Sequence, residues 1–266
     1  PDIHVAHCPE RVLPGRIMIE MITNDRVVGG VTPCCAQMAA SVYRVFTQGE
    51  IVLSDAASAE MAKLVENAFR DVHIAFANEL SLISEDLELD VWEVIKLANH
   101  HPRVNVLSPG PGVGGHCIAV DPWFIVGAAP ERSRLIRTAR EVNDVKPVHV
   151  AEQVARKCDR FRTPTVACLG LAYKANVDDL RESPAVDIVQ AIADRLPDLD
   201  IRVAEPLVHT LPEELADYAN VKLEAATEAI AAADIVVLLV DHDHFRSLSR
   251  SRLSGKIVYD TRGLWR

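Results

Sequence analysis

Between Ser108 and Phe124 the chain reads SPGPGVGGHCIAVDPWF, with glycine or proline at all but one position from Pro109 to Gly115 and Cys117 two residues beyond. Glycines let a ligand approach the backbone closely. A thiol in such a loop, beside His116 and near Asp121, is available as a nucleophile in its thiolate form. Gly110, Gly112 and Gly115 also satisfy G-x-G-x-x-G. A dinucleotide fingerprint, however, follows a strand and opens a helix, whereas here Pro122 comes soon after and no acidic strand end follows about 20 residues on. The better reading is a backbone-lined cleft with the Cys117 thiol directed into it. The remaining cysteines, Cys8, Cys34, Cys35, Cys158 and Cys168, read as inert packing.

Lys63 and Asn67 are four residues apart on a helical pattern and share one face. They read either as a solvated stripe or, since Asn is a poor mid-helix residue, as an ammonium and an amide that donate to a developing oxyanion. In LGLAYKANVDDLRESPA (169–185), Tyr173, Lys174 and Arg181 stand where a strand opens toward a helix. Ligands of open α/β sheets bind at the carboxyl ends of strands, so a phosphate site is sensible there. Ser183 before Pro184 reads equally as a helix N-cap. Arg262, after the strand-like KIVYD, falls at the same sheet edge. His4, His7 and Cys8, His100 and His101, and His242 and His244 form no complete zinc set, and alternation along a strand accounts for the last pair on one face. No metal is expected.

These side chains need a scaffold. A length of 266 residues is enough for two domains, each with its own core. The formal net charge of −10 and the lack of a long basic cluster argue against nucleic-acid binding. The longest apolar run, Ile235 to Val240, is closed by Asp234 and Asp241. It falls far short of the roughly 20 residues that cross a membrane. Six cysteines without CxxC spacing point to reduced thiols and a cytoplasmic location. The start at Pro1, with strand-like residues from the outset, is read as a truncated N-terminus.

The first fifty residues alternate β-like runs (IHVAHC, GRIMIEM, RVVGGV) with turns, as at the edge of a sheet begun upstream. From about Ser54 apolar residues recur at helical spacing past Asp86, with Ser54 or Asp55 as N-cap. So long a helix suits a homodimer seam. A helix over 90–99, a loop over 104–122 and two helices, 131–144 and 147–157, broken at Pro147, are expected next. After residue 160, strands 165–171, 201–205, 234–240 and 256–260 alternate with helices near 185–196 and 225–232, as in a parallel sheet covered on both faces.

Together these segments resemble the nucleotide-sugar 6-dehydrogenases, the UDP-glucose/GDP-mannose dehydrogenase family, from HCPERVLPG (7–15) to YDTRGLWR (259–266) and in that family's order. Within it, GPGVGGHCIAVDPWFI, ENAFRDVHIAFANEL and RTAREVND look most like the branch acting on UDP-N-acetylhexosamines. The resemblance implies an α/β fold in three parts. Residues 1–53 would be the edge of a truncated NAD-binding Rossmann domain, 54–160 a central all-α dimerisation region carrying the catalytic loop, and 161–266 a Rossmann-like UDP-sugar-binding domain.

It further implies oxidation of a sugar primary alcohol to a carboxylate with two NAD in succession. Cys117 matches the nucleophile that forms a thiohemiacetal and then a thioester. Lys63 and Asn67 match the oxyanion donors, Asp121 the carboxylate near the water, and Glu10 of the PER motif the glutamate of the hydrolytic step. Arg11, Gly114, Tyr173, Lys174 and Arg262 match substrate-binding positions, Arg103 an arginine contributed across the dimer, and Arg181 an NAD contact. Val120 departs from the lysine, and His116 from the serine, common in UDP-glucose enzymes. Three other readings remain open: the same oxidation of UDP-N-acetylglucosamine or UDP-glucose, a binding or dimerisation module without turnover, and a cysteine hydrolase using Cys117 and His116; this chain alone is expected not to reduce NAD. Against the hydrolase, adjacent residues on an extended loop point apart.

Overall fold

The computed structural model describes residues 3–12 and 15–266, which fall into two compact units, Pro1–Phe69 and Arg70–Arg266. Pro1, where the chain begins, and Leu13 and Pro14 of the HCPERVLPG segment lie outside the described residues.

The first unit holds strands β1 (Ala6–His7), β2 (Arg26–Gly30) and β3 (Ile51–Asp55), with helices α1 (Ile17–Thr23) and α2 (Pro33–Tyr43). The sheet order is β1-β2-β3, with β1 antiparallel and β3 parallel to β2. GRIMIEM, expected as a strand, is helix α1: a short run of Ile and Met fits either period, and the tertiary setting decides. Helix α2 was not foreseen, although Thr32 caps it by accepting the Cys35 N–H at 3.2 Å and Pro33 fills its first turn.

Helix α3 (Ala56–Asp86) runs for 31 residues without Gly or Pro, about 46 Å at 1.5 Å per residue. Asp55 caps it, its Oδ1 accepting the Ser58 N–H at 2.9 Å. Met61, Val65, Phe76 and Ile83 on this helix are exposed.

The second unit continues with α4 (Val91–Ala98), capped by Asp90, then α5 (Asp121–Ala128) and α6 (Arg134–Cys158). One expectation fails here and one helix is unforeseen. The tract from 104 to 120 is loop as expected, and α5 follows it, with Pro122 tolerated in its first turn. Helix α6 does not break at Pro147 but runs through it. One missing N–H is tolerated because both flanks are buried: Arg140 and Asn143 are bonded to α3, and Val150 and Val154 sit in the sheet core.

Next come β4 (Thr165–Leu169), α7 (Pro184–Arg195), β5 (Asp200–Ala204), α8 (Glu213–Ala216), β6 (Val221–Leu223), α9 (Ala226–Ala232), β7 (Ile235–Leu238), α10 (Asp243–Arg246), a 3₁₀ turn (Arg250–Leu253) and β8 (Ile257–Asp260). The sheet order is β6-β5-β4-β7-β8, every pair parallel. Alternation along each strand divides the core. Val166, Cys168, Ile201 and Val237 pack under α6 and α7, while Ala167, Leu169, Val236 and Leu238 pack under α9. The arrangement is a doubly wound α/β layer structure, as the strand pattern required.

Candidate active site

Cys117 is half-buried in the tract between α4 and α5, and its carbonyl accepts the N–H groups of Val120 at 3.0 Å and Asp121 at 2.8 Å. That turn sets Cys117 and Asp121, the first residue of α5, one helical turn apart. All six cysteines are free thiols. Burial pushes Cys158 up to about 11 and Cys168 up to about 12, which fits inert packing. Cys35 differs from the other packed thiols: the Thr32 hydroxyl, 3.1 Å from its Sγ, is the main influence holding it down at about 6.

The glycines before Cys117 are places where other chain segments come close. A Cβ on Gly114 would stand 2.1 Å from the Glu182 carbonyl oxygen, and one on Gly115, whose φ is +86°, would stand 2.9 Å from the Tyr173 ring. The Gly115 N–H donates to the Glu182 carbonyl at 3.2 Å. At the other end of the loop, a Cβ on Gly110 would meet Arg262 Nη1 at 2.5 Å. Arg262 is held there by Asp241, whose Oδ1 accepts from Nε at 2.9 Å. One glycine tract thus gathers Cys117, Gly114, Tyr173 and Arg262.

Tyr173 lies on the β4–α7 loop, which leaves the sheet at Gly170 (φ +94°) and closes on itself where the Tyr173 N–H donates to the Asp179 carbonyl at 3.1 Å. Lys174 on this loop is exposed. Arg181 is exposed and paired with Asp179 at 2.9 and 2.6 Å, and that hydrogen bonding holds the Asp179 carboxyl at about 2. Arg103 is exposed in the turn after α4, its N–H donating to His101 Nδ1 at 3.3 Å. Ser183 does cap α7, its Oγ accepting the Ala185 N–H at 3.3 Å.

The remaining predicted residues belong to the first unit. Glu10 Oε1 accepts from the Arg11 N–H at 2.7 Å and the Val12 N–H at 3.1 Å, and Arg26 Nη1 stands 3.0 and 3.2 Å from the two carboxylate oxygens. Partial burial opposes ionisation, but the Arg11 amide and the Arg26 charge outweigh it and lower the Glu10 carboxyl below its ordinary range. Arg11 pairs with Glu66 at 2.8 Å, which anchors the PER segment on α3 one residue from Asn67. Lys63 and Asn67 are half-buried on that helix.

Several residues of consequence were not singled out from sequence. Asn78, in the second half of α3 and fully buried, accepts the Gly110 N–H at 2.8 Å and donates to Asn143 Oδ1 at 2.8 Å. Asn143 donates to Asp71 at 2.8 Å, and Arg140 donates to Asp71 at 2.7 Å. Asn78 carries the same signal as Asn67, an amide in a helix interior where it is a poor helix former, and that signal could have found it. Arg26, Asp241 and Glu205 gave no local signal. His242 and His244 do not share a strand face: β7 ends at Leu238, His242 is the buried N-cap of α10 and His244 is exposed. Among the described residues no group of three metal-ligating side chains exists, and no helix is long and apolar enough to cross a membrane.

Models of the UDP-glucose/GDP-mannose dehydrogenase family match in succession: the NAD binding domain over residues 1–47, the central domain over 57–145 and the UDP binding domain over 167–266. The chain belongs to the UDP-glucose/GDP-mannose dehydrogenase family. Among curated members, it is 57% identical over 264 residues to an NDP-N-acetyl-D-galactosaminuronic acid dehydrogenase of Ralstonia nicotianae, covering 99% of this chain and 62% of that protein. It is 52% identical over 273 residues to the UDP-N-acetyl-D-mannosamine dehydrogenase of Escherichia coli K12, covering 100% and 64%. A solved UDP-N-acetyl-mannosamine dehydrogenase from Staphylococcus aureus superposes with a TM-score of 0.85 at 43% identity, covering 99% of this chain and 61% of that one. The chain therefore spans less than two thirds of the length of these family members.

Proposed function

We propose that the chain is the catalytic and nucleotide-sugar-holding portion of an NAD-dependent dehydrogenase that oxidises the primary alcohol of a UDP-N-acetylhexosamine, UDP-N-acetyl-D-mannosamine first among them, to the uronate. The observation that carries this reading is the convergence of Tyr173 and Arg262 on the glycine tract that leads to Cys117. An aromatic ring and a guanidinium suit a nucleoside diphosphate, and the thiol two residues beyond suits a carbonyl carbon. The reading keeps the three-part division at 1–53, 54–160 and 161–266, supported by the spans of the three matching models.

The described residues lack a strand, glycine turn and helix cradle for a pyrophosphate. Cβ positions at Gly29 and Gly30 are closed off by Ala59 and by the Ala36 backbone, and the 110–115 tract follows no strand. Arg181 is then one contact that this chain makes to NAD. Bound NAD would supply the oxidising equivalents, taking a hydride in each of two oxidations.

The protein's own residues do the rest in this reading. The Cys117 thiolate adds to the aldehyde carbon, forming a C–S bond and leaving an oxyanion that Lys63 and Asn67 stabilise by charge and hydrogen bonding. Loss of hydride from that thiohemiacetal gives the thioester. Water then attacks, the C–S bond breaks, and the thiolate leaves with the carboxylate as product. Asp121 and Glu10, the latter kept ionised by the Arg11 amide and the Arg26 charge, handle the protons of that hydrolysis. Lys174 and Arg11 contribute to the nucleotide-sugar site, and Arg103 serves a partner's site across a homodimer. The exposed Met61, Val65, Phe76 and Ile83 on α3 support that dimer, and six free thiols support a cytoplasmic location.

The test is NADH release by the intact protein with UDP-N-acetylmannosamine, UDP-N-acetylglucosamine and UDP-glucose. Two NADH per uronate, fastest with UDP-N-acetylmannosamine, is the expected result. One NADH per sugar with aldehyde as product, or none with any UDP-sugar, would overturn the proposal.

A further inference from the structure

Outside the residues assigned above, the second unit buries one histidine hydrogen-bonded to a carboxylate. His242 and Glu205 are 1% and 6% exposed, at the carboxyl ends of the parallel strands. Glu205 follows β5, and its Oε2 accepts the N–H groups of Leu171 at 2.7 Å and Ala172 at 3.1 Å, at the start of the β4–α7 loop. Its Oε1 accepts the Leu207 N–H at 3.1 Å. Burial opposes ionisation, yet the bond to His242 and the Leu171 amide outweigh it, so Glu205 stays a carboxylate. The loop amides that would meet a phosphate in a dinucleotide-binding domain are here taken by a side chain of the protein itself.

His242 connects this carboxylate to the far part of the same loop. Its Nε2 lies 3.2 Å from Glu205 Oε2, and its Nδ1 lies 3.0 Å from the backbone nitrogen of Asn176. An amide N–H can only donate, so Nδ1 is an unprotonated acceptor and Nε2 carries the hydrogen given to Glu205. Phe245, edge-on to the ring at 5.6 Å, fixes its plane. Asn176 needs such fixing because it is a non-glycine residue at φ +62°. Two further bonds clamp it to the same turn: its Nδ2 donates to Asp243 Oδ2 at 2.9 Å, and its Oδ1 accepts the Asp243 N–H at 3.0 Å. Asn176 is two residues from Lys174 and three from Tyr173.

We propose that His242 is a positioning residue for nucleotide binding: as a neutral imidazole bridging Glu205 and the Asn176 amide, it fixes the loop conformation that presents Tyr173 and Lys174. This rests on the reading that those two residues hold the nucleotide. Two substitutions separate the ring's two ends, since an Asn side chain places an acceptor near Nδ1 and a Gln side chain places a donor near Nε2.

The experiment is calorimetric titration of the intact protein with UDP, alongside thermal unfolding of each variant. His242→Asn should bind UDP within about twofold of the parent, while His242→Gln and His242→Phe should weaken binding about tenfold, the equivalent of one hydrogen bond. A merely structural histidine would shift the unfolding temperature of all three and leave UDP affinity unchanged, which would overturn the proposal. Tyr173→Ala and Lys174→Ala are the controls. Unchanged affinity in both would overturn the nucleotide reading of the loop and this inference with it, whereas weakened controls beside an unaffected His242→Gln would overturn this inference alone. Imidazole nitrogen NMR of the unsubstituted protein needs no variant to fold: His242 must show a protonated Nε2 and a bare Nδ1, and a proton on Nδ1 would refute the bridge.

Discussion

The side-chain oxygen of Asn78, in the second half of the long helix, accepts the backbone N–H of Gly110 at 2.8 Å, in surroundings where both residues are buried. One end of the thiol-bearing tract is thereby tied to the helix, and Arg262 lies against the glycine so fixed. Asn78→Ala would leave the Gly110 amide and an oxygen of Asn143 without these partners. An unsatisfied buried donor costs about 1–3 kcal/mol, so urea denaturation should show a loss of that size, with faster amide exchange in residues 104–116. A loss below ~0.5 kcal/mol with unchanged exchange, within the range of ordinary surface substitutions, would mean that the tie bears no strain.

Gly115 offers a sharper probe of how the loop meets Tyr173. At φ +86° a side chain is strained by about 1–2 kcal/mol, and its Cβ would press on the Tyr173 ring. Gly115→Ala should therefore weaken UDP binding severalfold. Gly127→Ala, inside α5 with nothing within 4 Å of the new Cβ, should leave binding unchanged and slightly stabilise the helix. Equal UDP affinity in the two variants would separate the ring from the nucleotide.

How far these features could be read from sequence depends on the range of the forces involved. The parallel sheet, the long helix and its Asp55 cap follow from period and capping chemistry, which are local, and they stand where expected. Helix α1 reads as a strand because its seven residues are too few to distinguish a period of 3.6 from one of 2. Pro147 reads as a break because the penalty for a helix-interior proline is local, whereas the packing that overrides it joins residues 65 to 72 positions apart. The site divides in the same way. Cys117 and its glycines announce themselves as a motif, but Asp241 beside Arg262 and His242 beside Asn176 are pairings across the sheet edge that no window of sequence contains.

Lys146 gives a pH test. Its ammonium is buried, Nζ bonding Ser81 Oγ at 2.8 Å, and burial lowers it from 10.5 to about 8. Between these values the unfolded chain binds the proton that the folded one has released. This residue's contribution to stability therefore rises as pH increases from about 8 to 10.5 and is constant below. Lys146→Met should remove that rise, by about 3 kcal/mol at most. The difference in unfolding free energy between the parent and the variant, measured at pH 7 and pH 10, isolates it from buried thiols and tyrosine that titrate in the opposite sense. A difference that does not change with pH would contradict the assignment.

The most direct test of the chemistry is the covalent state of Cys117 during turnover. Intact protein given UDP-N-acetylmannosamine and NAD, quenched in acid and digested, should yield the Cys117 peptide carrying the sugar nucleotide as a thioester, and Cys117→Ala should make no uronate while folding normally. Uronate formation at the parent rate by Cys117→Ala, or a Cys117 peptide that stays unmodified while product accumulates, would contradict it.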